Sequence, residues 1–186
     1  MTDDVVRDWW KAWIAPDTSA ARANRARLRR AQDWQAAMLE PAAINLAKRL
    51  GAMNHDPRLN MALSLASVLA HVKEDTPHLR LMRTLGYTST PTDKGKGSDQ
   101  PKLATLRFTR LMRATPDEFP LAMTRLVRLA GNSANVSEIG KAMMNWVFED
   151  SRERQRKRWA FDYYAASNAA PTDPEQETPD SEGTSA

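Results

Sequence analysis

The chain has 186 residues, 41 % of them hydrophobic and 27 % charged, which suits a soluble domain or two small helical lobes that bury most of their apolar surface. It contains no cysteine, so disulfides, zinc–cysteine sites and thiol catalysis are excluded. Net charge is +4, but taking the five acids of the stretch 168–186 from the 23 leaves 18 acids against 27 bases, a body of +9 that favours a phosphate backbone or another anionic surface.

In chain order, Met1-Thr-Asp-Asp-Val-Val-Arg-Asp is acidic and lacks the apolar segment of a signal peptide. The spacing predicts a first helix over 4–15 with Val5, Val6, Trp9, Trp10 and Trp13 on one broad face, ended by Pro16. Those tryptophans could stack on bases, yet helical spacing makes them core. A second helix is predicted over 19–34, rich in Ala and Arg. A third follows Pro41 and stops at Gly51. The fourth, 58–73, is apolar over a wide arc, the pattern of a helix buried in the middle of a bundle. It is too short and too polar to span a bilayer. A short helix over 78–85 ends at Gly86.

The stretch 87–100, with Gly, Pro, Ser and Thr, reads as a flexible loop between two lobes. Helices are then predicted over 101–114, 117–130, 136–150 and 152–167. The last carries five cations and four aromatics in Arg152 to Tyr164, placing Arg152, Arg156, Trp159 and Tyr163 on one side. The end, 168–186, is acidic and rich in Pro, Ser and Thr, and is expected to be disordered. The reading is an all-α protein of eight to nine helices in two small bundles, 1–86 and 101–167.

Chemistry concentrates in arginine. Arg107, Arg110 and Arg113 recur every three residues opposite Phe108, Leu111 and Met112, which sets them ~4.5 Å apart along the axis, a spacing that can follow successive phosphates of one strand. Arg125 and Arg128 repeat the arrangement on the next helix, opposite Phe119, Met123 and Leu126. The plain alternative is a solvated helix face. Arg22, Arg25, Arg27, Arg29 and Arg30 form a second cluster on a helix with little core-forming surface. Neither cluster holds a base-reading motif, so contacts to backbone phosphate are expected. Only three histidines occur, His55, His71 and His78; His55-Asp56 has the look of a metal-dependent phosphohydrolase pair, but Pro57 follows and no upstream His completes it. Gly95-Lys-Gly-Ser98 lacks the spacing of a phosphate-cradling loop. No enzyme site and no cofactor emerge.

Trp9-Trp-Lys-Ala-Trp13, Arg25-Ala-Arg-Leu-Arg-Arg30, Leu106-Arg-Phe-Thr-Arg-Leu-Met-Arg-Ala114, Leu126-Val-Arg-Leu129, Trp146 and Arg158-Trp-Ala-Phe-Asp-Tyr-Tyr164 occur in an order that resembles the small subunit, CasB, of the type I-E CRISPR surveillance complex Cascade. The likeness covers 5–166. It implies a cytoplasmic, non-catalytic, all-helical subunit, present with a second copy of itself. The implied partners are the crRNA-containing Cascade backbone subunits and the large subunit, and the role is to stabilise the displaced strand of target DNA. In such complexes guide pairing reads sequence while protein supplies shape and charge. By position the resemblance points to Arg58, Arg107, Arg113 and Arg128, and across a small gap to Arg152 and Arg154. Trp159 to Tyr164 looks like core or subunit contact. The candidate nucleic-acid-binding set is therefore Arg27, Arg30, Arg58, Arg107, Arg110, Arg113, Arg125, Arg128 and Arg152. A free-standing helical DNA-binding regulator, a phosphohydrolase using His55 and Asp56, and a protein whose basic faces meet acidic partners are the competing readings.

Overall fold

The computed structural model describes residues 2–87 and 100–165. Residues 88–99 of the loop predicted over 87–100, and residues 166–186, which include the acidic end predicted over 168–186, lie outside the described residues. Ten helices account for nearly all regular structure there: α1 Thr2–Trp13, α2 Ser19–Arg30, α3 Trp34–Met38, α4 Pro41–Arg49, α5 Asp56–Leu69, α6 Leu81–Leu85, α7 Thr105–Arg113, α8 Phe119–Leu129, α9 Val136–Trp146 and α10 Glu149–Tyr164. The class is all-α. A parallel pair of two-residue strands, β1 Glu74–Asp75 and β2 Ser133–Ala134, is the exception.

The helix predicted over 19–34 ends early, at Arg30, because Asp33 starts a new helix. Its carboxylate accepts from the Ala36 N–H at 2.8 Å, capping α3 and turning the chain. Gly51, at φ +62°, supplies the left-handed turn after α4 that the sequence signalled.

α5 is the centre. Met61, Ala62, Leu63, Leu65, Ala66, Val68 and Leu69 are buried all round its circumference, and it packs against α2, α3, α4, α8 and α9. Elements on both sides of 88–99 share one continuous hydrophobic cluster, with α1 laid along α9. The close approach requires Gly140: a Cβ there would stand 2.8 Å from the Val6 side chain. Arg7 secures the same contact, donating to Asp75 at 2.8 Å and to the Asn135 carbonyl oxygen at 3.3 Å. Asp75 also accepts from the Val136 N–H at 3.0 Å.

Of the tryptophans expected in the core, Trp9 and Trp10 are buried and Trp13 is partly buried against it. Trp9 is fully buried and donates to the Ala42 carbonyl at 3.0 Å; Trp146 is buried and donates to that of Ala114 at 3.0 Å. Trp146 stacks on Phe119 with centroids 3.9 Å apart, and Phe108 stacks on Tyr163 at 3.9 Å. These two stacks fix the faces that α7 and α8 turn inward, and so the faces they turn out.

Candidate nucleic-acid interface

In α7, Phe108 and Leu111 are buried, and Arg107, Arg110 and Arg113 stand on the exposed side. The turn into α8 is held by a reciprocal pair: Glu118 accepts from the Thr115 N–H at 2.9 Å, and the Thr115 hydroxyl accepts from the Glu118 N–H at 3.4 Å. The Thr115 N–H and, at 3.0 Å, its hydroxyl both donate to the ionised carboxylate and hold the Glu118 carboxyl below its ordinary value. α8 then buries Phe119, Met123, Leu126 and Val127 and exposes Arg125 and Arg128. None of these five arginine side chains has a carboxylate partner or a hydrogen bond among the described residues.

The arginines of α2 behave differently. Arg25 donates to the carbonyls of Ile14 and Pro16, the latter at 2.9 Å, and Arg29 donates to that of Ala70 at 2.6 Å. The Ile14 and Ala70 carbonyls follow directly on α1 and α5, where no further turn supplies a donor, and Pro16 lies in the turn after α1. Arg22 pairs with Asp17 and Arg27 with Glu40, both at 2.9 Å, while Arg30 folds back onto the Ala26 carbonyl at 3.1 Å. A helix with little apolar surface is thus fastened by its cations to its neighbours' ends.

Arg58 sits half-buried in the first turn of α5, and its buried Nε has no partner. Arg152 is half-buried and paired with Glu149, and desolvation lowers its pKa, with Arg156 adding repulsion. Arg156 lies 5.4 Å over the Trp146 ring. Trp159 and Tyr163 are fully buried. The cation-and-ring side of α10 is therefore mainly a packing surface, while Arg154 on another side is exposed.

The candidates accordingly separate. Arg107, Arg110, Arg113, Arg125 and Arg128 lie unpaired on consecutive helices; Arg27, Arg30 and Arg152 are engaged, and Arg58 is recessed. One link between α2 and α8 was missed in the sequence. His71, just past α5, is pushed down to about 4 by burial first and by the fields of Arg128 and Arg29 next. Arg128 and Arg29 thus both lie near enough to His71 to act on its charge. Nothing in a lone histidine after a buried helix announces that. His55 caps no donor and makes an edge-to-face contact with Phe148 at 5.3 Å. Among the described residues no group of three or more His, Asp or Glu gathers as a metal site would require, and no helix is long and apolar enough to cross a membrane.

What the unpaired row can do chemically is hold a chain of anions. Three exposed guanidiniums on α7 and two on α8, three residues apart within each helix, present forked donors suited to phosphate and leave base edges unread.

The family model for CRISPR-associated protein Cse2 matches residues 24–164, from within α2 to the end of α10. No curated protein and no solved structure matches. The chain belongs to the Cse2 family, the small subunits of type I-E Cascade, and is thereby a subunit of a CRISPR antiviral complex.

Proposed function

We propose that this Cse2 subunit is a non-catalytic clamp for single-stranded nucleic acid within the assembled RNA-guided complex. The exposed arginines of α7 and α8 hold the displaced strand of target DNA by its phosphates, which stabilises the opened duplex. Its partners are the crRNA-containing backbone subunits, the large subunit and a second copy of itself. The observation that carries the reading is the unpaired state of Arg107, Arg110, Arg113, Arg125 and Arg128, in a chain whose other arginines are mostly engaged. The work is to neutralise phosphate while guide pairing supplies sequence.

Each phosphate contact to a single strand adds about 0.7 to the slope of log affinity against log salt. Exchanging Arg107, Arg110 and Arg113 for Gln together should lower that slope by about two units in the reconstituted complex, measured on a target with a fully opened protospacer. An unchanged slope sinks the assignment of this face.

A second reading is favoured by Leu106 and Leu121, 64 % and 57 % exposed on the same two helices. Leucine among arginines suits an acidic protein surface as well as a strand. Under that reading the triple exchange weakens subunit incorporation and leaves the salt slope of the complex that does assemble untouched.

A further inference from the structure

On α10, Phe161 is 79 % exposed, the most exposed large apolar side chain among the described residues. Arg154, Lys157 and Arg158 precede it by seven, four and three residues, so all four share one side of the helix, and each is exposed. The next residue, Asp162, is only 4 % exposed and gathers three guanidiniums: Arg80 at 2.7 Å, Arg83 at 3.4 Å and Arg158 at 4.0 Å. Arg80 caps α6 and Arg83 lies within it, so Asp162, the residue after Phe161, gathers cations from α6 as well as α10.

The nearby acids do not cancel this charge. Glu138 stands behind, accepting from the Leu81 N–H at 2.9 Å, with its other oxygen buried and without a partner. Glu153 is occupied by Lys157 at 2.8 Å. Five cations thus face three carboxylates, one buried and one mostly so. Phe161, with Tyr164 44 % exposed one turn on and guanidiniums around them, is smaller than the contiguous apolar patch of a protein-docking face. Stacking of one base needs only one ring, with cations on either side for the flanking phosphates.

We infer that Phe161, with Arg80, Arg83 and Arg158, forms a base-stacking platform for single-stranded nucleic acid, separate from the α7–α8 row. Asp162 acts as a positioning residue that presents the guanidiniums. The inference rests on the proposal that the chain meets a single strand, but it involves different helices and a different interaction, stacking in place of charge alone.

The test uses the full-length chain at low salt and two probes of about 20 nucleotides, an oligothymidylate and an abasic oligomer with the same phosphates; both exceed the usual footprint of a single-strand site. Phe161→Ala should weaken binding of the oligothymidylate about tenfold and leave the abasic probe unchanged, and Phe161→Trp should restore it. The Arg107, Arg110 and Arg113 triple exchange should weaken both probes alike. Loss confined to that triple variant, with Phe161→Ala indistinguishable from the parent, overturns the platform and leaves the α7 reading standing. The converse pattern leaves the platform and removes the α7 row. Equal losses on both probes for Phe161→Ala, or no measurable binding by the parent chain, also overturn it. So does reduced co-purification of Phe161→Ala with the other subunits alongside unaltered oligothymidylate binding, which identifies a protein contact.

Discussion

α2 and α7 are both short, arginine-rich helices, and their cations meet opposite fates. On α2 the guanidiniums reach the open carbonyl ends of α1 and α5 and the carboxylates of Asp17 and Glu40. On α7, Phe108 and Leu111 supply the anchorage, so the arginines are not needed to fasten the helix. The difference lies in what the neighbours offer. A helix C-terminus carries unsatisfied carbonyls and partial negative charge, and a cation placed there becomes part of the fold. Arginine density alone does not mark a binding surface; arginine whose donors exceed what its neighbours take up does.

The sharpest way to break this comparison is on the α2 side. Replacing Arg25 and Arg29 with Ala removes charged donors from two helix ends. The expected loss is about 2–4 kcal/mol, since bonds to charged groups contribute about 1.5–3 kcal/mol each and solvent replaces part of them. A thermal melt should fall by several degrees. An unmoved melting temperature means that α2's cations are as free as those of α7, and the contrast disappears.

His71 offers a smaller effect, tuned by pH. Its folded pKa is about 4 against an ordinary 6.5, with burial the chief cause and Arg128 and Arg29 contributing. Between those values the unfolded chain takes a proton that the folded one refuses. Stability is therefore complete above about 6.5 and declines as pH falls toward 4. The ring is partly solvated, so screening limits the loss to about 1–2 kcal/mol. Urea titrations at pH 7.5 and 4.5 should show less acid sensitivity for His71→Asn than for the parent. Smaller again is the Arg27–Glu40 pair, an exposed ion pair expected to couple by about 0.2–1 kcal/mol in a double-mutant cycle. A coupling near zero would move Arg27 from the engaged class to the free one.

The helical class, the buried centre of the bundle and the outward rows on α7 and α8 could all be read from periodicity, because each depends on residues three or four apart. Trp9 and Trp10 were legible as core for the same reason. What periodicity could not carry was partnership at long range. Arg29 finds a carbonyl 41 residues away, and Arg7 finds Asp75 68 residues away. The strand pair is two residues long, too short for any alternation to register. Asp162 left one readable trace: a lone acid among aromatics, four residues after Arg158, is the spacing of a helical ion pair. The reading of Trp159 to Tyr164 as core or subunit contact fits Trp159 and Tyr163, which are fully buried, but Phe161 between them faces outward.

The smallest expected change is the most discriminating. If α7's arginines take no part in the fold, exchanging Arg107, Arg110 and Arg113 for Gln should shift the unfolding free energy of the isolated chain by no more than about 0.5 kcal/mol, the range of surface substitutions remote from structural features. Helix propensity barely changes between Arg and Gln, so no compensating term hides there. Removing three like charges from one face even relieves repulsion, which can offset any lost contact of the aliphatic stems. A loss comparable to that of the Arg25 and Arg29 exchange would show that these side chains are anchored after all. Strand binding would then be a by-product of structure, since a guanidinium already held by the protein presents fewer donors to phosphate. A silent melt alongside a reduced salt slope is the combination that only an unemployed cation row can produce.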